Sequence, residues 1–212
     1  MAAATLTVGE FQIALPPKPD FESKDHRYRD PQTGDPLASV TQILAAAGMK
    51  YDWTADSKIA MRRGTRVHLA IALDQEGDLD ETSIRQQDQP YLNADREFRE
   101  RHNWRSLAQE VKIMHPLYRY AGRLDDLGMI TIKDHDYPAL REIKTGTPSW
   151  WTRYQLTAYL LCFPEHRKFA RVAVGLTPDG AKIEGPWYQN SWEQDVQVWM
   201  ACLKIYEARY RR

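Results

Sequence analysis

The chain reads as an α/β domain, a central sheet flanked by helices, on three observations. Residues 120–145 hold two extended stretches separated by a turn, Phe169–Thr177 and Ala181–Trp187 flank the turn Pro178-Asp179-Gly180, and helical stretches alternate with them. At 212 residues the chain suits one well-buried core rather than two ordinary domains, with an irregular arm expected over 1–36 and a single domain over 37–212.

Taken in order, the arm carries Pro16-Pro17-Lys18-Pro19 and the turn-forming Asp30-Pro31-Gln32-Thr33-Gly34-Asp35-Pro36. Ser39 to Gly48 reads as a short capped helix ended by its glycine. From Thr54 to Leu73, Ile59, Arg63, Val67, Ala70 and Ile71 fall on one helical stripe, which puts His68 at the edge of a buried face. Asp74 to Gln89 is polar and loop-like, and Pro90 to Trp104 mixes charges with Tyr91, Leu92 and Phe98 as a helix on a solvated face would. Ser149 to Phe163 predicts a helix stopped by Pro164, and Trp192 to Tyr210 a closing amphipathic helix.

The chemistry concentrates between Glu110 and Lys144. Successive side chains of a strand face opposite ways, so Glu142 and Lys144 share one face of Ala139–Lys144 while Ile143 faces the core. The strand ends at Thr145-Gly146-Thr147-Pro148. Asp125 precedes Met129–Lys133, and a turn over Asp134–Pro138 would bring it back toward Glu142 as an antiparallel hairpin. Converging carboxylates repel unless a proton or cation lies between them, and hard oxygen donors suit Mg²⁺. Such an ion polarises a phosphoryl oxygen and acidifies bound water, while a neighbouring lysine stabilises charge on phosphorus. Glu-x-Lys alone also describes a surface ion pair worth about 0.2–1 kcal/mol.

Composition sets bounds. The 29 basic and 29 acidic residues cancel, so nucleic-acid binding would need local clustering rather than a global field. Cys162 and Cys202 sit in apolar helical surroundings and read as buried thiols. No apolar run approaches a membrane span and no secretory pattern opens the chain, so an intracellular, cytoplasmic protein is expected.

Gly122-Arg123-Leu124-Asp125, Glu142-Ile143-Lys144-Thr145-Gly146 and Gln155-Leu156-Thr157-Ala158-Tyr159, with Gly64-Thr65-Arg66-Val67-His68 and Glu110 upstream, resemble the PD-(D/E)XK nuclease superfamily and its RecB-like exonuclease branch. The resemblance spans Val40 to Tyr159, and it lacks the Pro-Asp dipeptide of the general motif. It implies a restriction-endonuclease-like core with a central mixed sheet. It implies a Mg²⁺- or Mn²⁺-dependent DNA exonuclease in which Asp125, Glu142 and the Ile143 carbonyl bind metal, Lys144 is catalytic, His68 is a further ligand and Glu110 an outer ligand or positioner. A nitrogen ligand makes Mn²⁺ at least as acceptable as Mg²⁺. Relatives with an iron–sulfur cluster need four cysteines, and two cannot supply it, so none is expected.

Trp150, Trp151, Arg153 and Tyr154 follow the catalytic strand as candidates for stacking on bases and meeting phosphate. Arg123 and Arg66, Thr145 at the strand end, and the helix pair Gln155 and Tyr159 complete the expected DNA contacts. At least one of the adjacent tryptophans should belong to the core. The expected setting is phage-type DNA processing or recombination in an infected host cell, where a single-strand-binding or recombinase protein would be the partner. Rival readings are a structure-specific or restriction-type endonuclease of the same superfamily, a catalytically inactive nucleic-acid-binding module, and a metabolic enzyme with a chance motif set.

Overall fold

A computed structural model describes residues 4–25, 27–49, 55–187 and 191–210. Among these residues ten strands and five α-helices build an α/β fold around a mixed sheet. A detached hairpin of β1 (Thr5–Val8) and β2 (Phe11–Ala14) comes first. Then follow β3 (Asp20–Glu22), β4 (Arg27–Arg29), β5 (Pro36–Ser39), α1 (Val40–Ala46), α2 (Ala55–Glu76) and α3 (Gln89–Arg101). The rest runs β6 (Arg105–His115), β7 (Tyr120–Ile132), β8 (His135–Thr145), α4 (Thr152–Leu161), β9 (Ala170–Thr177), β10 (Gly180–Trp187) and α5 (Trp192–Tyr210). The segment expected as an irregular arm therefore carries strands, and β3 and β4 extend the main sheet through β5.

The sheet order is β10-β9-β8-β7-β5-β4-β3, with β6 on the other edge of β7. The β8–β9 and β5–β7 pairs are parallel and the others antiparallel. Helices cover both faces. Leu140 of β8 joins α1, α4 and α5 in one core with Leu156, Leu160, Trp199 and Leu203, while its neighbours Ala139 and Ile143 join Val67, Ile71, Leu92 and Phe98 of α2 and α3 in another. Alternation along β8 thus feeds two cores, which is why β8 and β9 are buried on both sides.

Local signals explain several boundaries. Ser39 and Gln42 form a reciprocal capping box at α1, and Gly48 follows its end at φ +87°. The β7–β8 turn is two residues, Lys133 and Asp134, both at left-handed φ, so Pro138 lies inside β8 rather than in the expected turn. It sits where β8 pairs only with β7, ahead of the β9 pairing at Ala139, so its missing donor can face outward. Cys162 and Cys202 are buried free thiols. Among the described residues no helix is long and apolar enough to cross a membrane.

Among the described residues two arginines are buried inside the fold. Arg141 lies between Asp95 at 2.7 Å and Asp126 at 2.6 Å, flanked by the rings of Phe98 and Trp104. Asp126 also accepts from Trp104 Nε1 and Ser106 Oγ. Arg171 meets Asp195 at 2.8 Å beside the Trp192 ring. Breaking a buried pair strands the remaining charge. Arg141→Met should therefore lower the unfolding free energy by about 3–5 kcal/mol in chemical denaturation.

Candidate metal centre

The site begins where β7 changes partners. On the edge opposite β6, β7 pairs with β8 from Asp126 onward and with β5 at Tyr120 and Ala121. Residues 122–125 on that edge pair with neither, so the sheet forks there. At the fork Ile143 has no β7 residue to bond. Its N–H instead donates to Asp125 Oδ2 at 2.7 Å, and its carbonyl lies 3.1 Å from His68 Nε2 on α2.

Strand alternation also fails at this point. Leu124 and Leu127 are three apart yet belong to the same core, so β7 reverses its faces between them, at Asp125 and Asp126. On β6 the register places Glu110 opposite Asp125, between the pairs Gln109–Asp126 and Val111–Leu124, and Glu110 has φ +51°. A left-handed backbone is costly for a glutamate, of order 1–3 kcal/mol, and such strain collects at functional sites.

The fork thereby gathers His68, Glu110 and Asp125. Their ligand atoms lie within 4.8 Å of one another. His68 Nδ1 is 3.6 Å from Asp125 Oδ1 and 3.9 Å from Glu110 Oε1. With Nε2 donating to the Ile143 carbonyl, Nδ1 keeps its lone pair toward the carboxylates, the arrangement by which a ligating histidine is oriented. Glu110 Oε2 is held by Arg123 Nε at 2.7 Å.

Glu142 is the innermost acid. Its Oε1 accepts from Lys144 Nζ at 2.5 Å and Gln155 Nε2 at 2.8 Å, whereas its buried Oε2 has no hydrogen-bond partner among the described residues. Burial, and then the charge of Asp125, push its pKa up to about 7. Burial works against the charged forms of His68 and Glu110 too. The charges of Asp125 and Glu110 outweigh it and raise the His68 pKa, while His68 and Arg123 hold that of Glu110 down. The imidazole of His68 and the carboxylates of Glu110 and Asp125 are a donor set that fits Mg²⁺ or Mn²⁺.

The supporting residues fall into two groups. Gln155 bonds both Glu142 and the Tyr159 hydroxyl, at 2.8 and 3.0 Å. The Tyr159 ring lies so close to Gly122 that a Cβ there would come within 2.4 Å of it. The Thr145 carbonyl accepts from Arg63 at 3.4 Å. Trp150 is 68% exposed and packs edge-on against the half-buried Tyr154.

Other expected contacts are directed elsewhere. Trp151 is buried in the core at the start of α4. Arg153 reaches Asp195 of α5 at 2.7 Å, and Arg66 makes a two-pronged pair with Asp88 at 2.6 and 2.9 Å. Both guanidinium groups are taken by acids that sequence spacing did not connect to them. The Ile143 carbonyl accepts from His68 Nε2, and Glu110 is a member of the His68–Glu110–Asp125 cluster while Glu142 lies outside it. The Asp126–Arg141–Asp95 support behind Asp125 went unread, its one trace being the doublet Asp125-Asp126.

No protein-family model matches the chain, and no curated protein matches it.

A raised Glu142 pKa means the native state keeps a proton that the unfolded chain gives up near 4.5. Its contribution to stability is present at acid pH and lost as pH climbs to about 7. His68 acts in the same direction, whereas the lowered pKa of His115 acts in the opposite one, so the comparison with Glu142→Gln isolates the carboxyl. Denaturation of the metal-free protein between pH 4.5 and 7.5 should show stability falling more steeply with rising pH than in Glu142→Gln. At pH 8, millimolar Mn²⁺ should raise the melting temperature, and by less in Asp125→Asn.

Proposed function

We propose that the chain is a metal-dependent deoxyribonuclease of the PD-(D/E)XK type, hydrolysing DNA phosphodiesters from an end. One observation carries this reading: His68, Glu110 and Asp125 cluster at the sheet fork, Asp125 bonds the Ile143 N–H, and on either side of Ile143 stand the paired Glu142 and Lys144, with a buried oxygen of Glu142 left over. Asp125, His68 and Glu110 would hold the cation, and Glu142, which lies outside that cluster, would join them by bringing its unpartnered Oε2 toward it. When bound, Mg²⁺ or Mn²⁺ supplies electrostatic stabilisation of the phosphoryl oxygens and acidifies water.

The protein groups divide the remaining work. Lys144 places an ammonium on the same face as Glu142, where it can hold the attacking water and offset charge building on phosphorus. Gln155 fixes the carboxylate plane of Glu142 and is itself fixed by Tyr159. Trp150 offers an exposed ring to an unpaired base, which makes a frayed or single-stranded end a suitable substrate. Exonuclease action and a setting in phage-type processing or recombination rest on the sequence resemblance.

The test is incubation with end-labelled linear, circular and single-stranded DNA in Mg²⁺, Mn²⁺ or chelator. Cleavage of linear DNA only, dependent on either ion, is the expected result; cutting of circles would make the enzyme an endonuclease, and no cleavage of any substrate would end the nuclease reading. Lys144→Ala should reduce turnover at least ~100-fold, as loss of a charge-stabilising donor does, while keeping Mn²⁺ affinity by calorimetry. Asp125→Asn should lose both, and His68→Ala should regain part of its activity in excess Mn²⁺.

A further inference from the structure

The face of β6 and β7 that leads away from the acid cluster carries an unusual pair. Lys112 lies directly opposite Arg123, one step along the strands from Glu110 and Asp125. Like charges directly opposite in a sheet are destabilising, and a local rule broken beside a site signals function. Arg123 uses its Nε side on Glu110, whose pKa the charges of both Arg123 and Lys112 help to hold down, and one carboxylate is thus shared between two cations.

What holds Lys112 comes from the other branch of the fork. Phe21 and Tyr28 stand opposite each other on β3 and β4 with ring centroids 4.9 Å apart. Tyr28 is buried with Leu37, Met114 and Ala121, which anchors these short strands on the next step of the same β6–β7 face. The Lys112 ammonium sits 5.2 Å from the centroid of the Phe21 ring. A lysine stem is flexible, and a ring face that attracts its cation confines it.

We propose that Lys112 and Arg123 form a phosphate-binding subsite, positioned by Phe21, for the phosphate adjacent to the scissile one on the same DNA strand. The nuclease reading supplies the identity of the ligand. Two residues along a strand is about 7 Å, the order of the separation between neighbouring phosphates of one strand. A phosphate between the two cations relieves their repulsion, and Arg can meet it in a two-pronged fashion while Lys meets it as a point charge. The N-terminal strands thus serve the substrate through Phe21, although they contribute no group to the acid cluster.

The test measures binding of a fluorescently labelled single-stranded oligonucleotide to the Lys144→Ala protein across a salt series, with and without Lys112→Met. The slope of log affinity against log salt should shrink by about 0.7, the loss of one single-strand phosphate contact. Lys112→Arg should restore it, and Phe21→Leu, which removes the ring and leaves the charge, should fall between. In the cleavage-competent protein, Lys112→Met should raise KM severalfold with kcat within about twofold. Circular-dichroism melting confirms that each variant is folded. An unchanged slope and KM in Lys112→Met overturn the subsite and leave the nuclease reading intact. Wild-type behaviour of Phe21→Leu overturns the positioning by Phe21. Failure of the Lys144→Ala parent to bind any oligonucleotide overturns both the subsite and the nuclease reading.

Discussion

The edge of β7 is shared by two branches of the sheet that cannot both cover it, and the rest of the structure follows from that conflict. Buried backbone groups must find partners. Where β8 leaves β7, Ile143 still presents an N–H and a carbonyl toward the gap, and Asp125 and His68 are the groups that satisfy them. The same two side chains are thereby fixed beside Glu110. Completing the backbone's hydrogen bonds and assembling the His68–Glu110–Asp125 cluster are one arrangement.

Rigidity at the fork comes from behind it. Asp125 and Asp126 are neighbours with opposite fates: Asp126 is locked inward on Arg141, Trp104 and Ser106, so Asp125 is held at the opening. On the other face the line from Gly122 through Tyr159 and Gln155 to Glu142 leaves little freedom, because the ring packs on bare backbone and the amide nitrogen donates to both Glu142 and the Tyr159 hydroxyl. Buried polar chains of this kind cost desolvation and gain in definition of geometry. Glu142 carries that cost visibly, in an oxygen without a partner and a raised pKa.

Much of this was legible in the sequence, and the unread parts share a physical character. Period-two alternation located β8 and placed Glu142 with Lys144 and Ile143 behind them. Helical spacing placed His68 at a buried edge and paired Gln155 with Tyr159. Strands of three or four residues, such as β3 and β4, are too short to show alternation, so the arm looked irregular. Long cationic side chains choose among acids by proximity in space, which is why Arg66 and Arg153 turned to Asp88 and Asp195. The face reversal at Asp125 and the left-handed Glu110 have no pattern in sequence, since they arise from the branching of the sheet itself.

The branching has a consequence for how the chain reaches its native state. Strands β6, β7 and β8 are joined by short turns and can zip together from nearby contacts. The β5–β7 branch instead requires Ser39 to find Ala121, closing a segment of roughly 80 residues that contains His68. Entropy therefore orders events, with the β6–β8 meander preceding the arrival of β5 and α2. The His68–Glu110–Asp125 cluster is completed only when that long excursion closes, so a nascent or partly unravelled chain lacks the assembled centre.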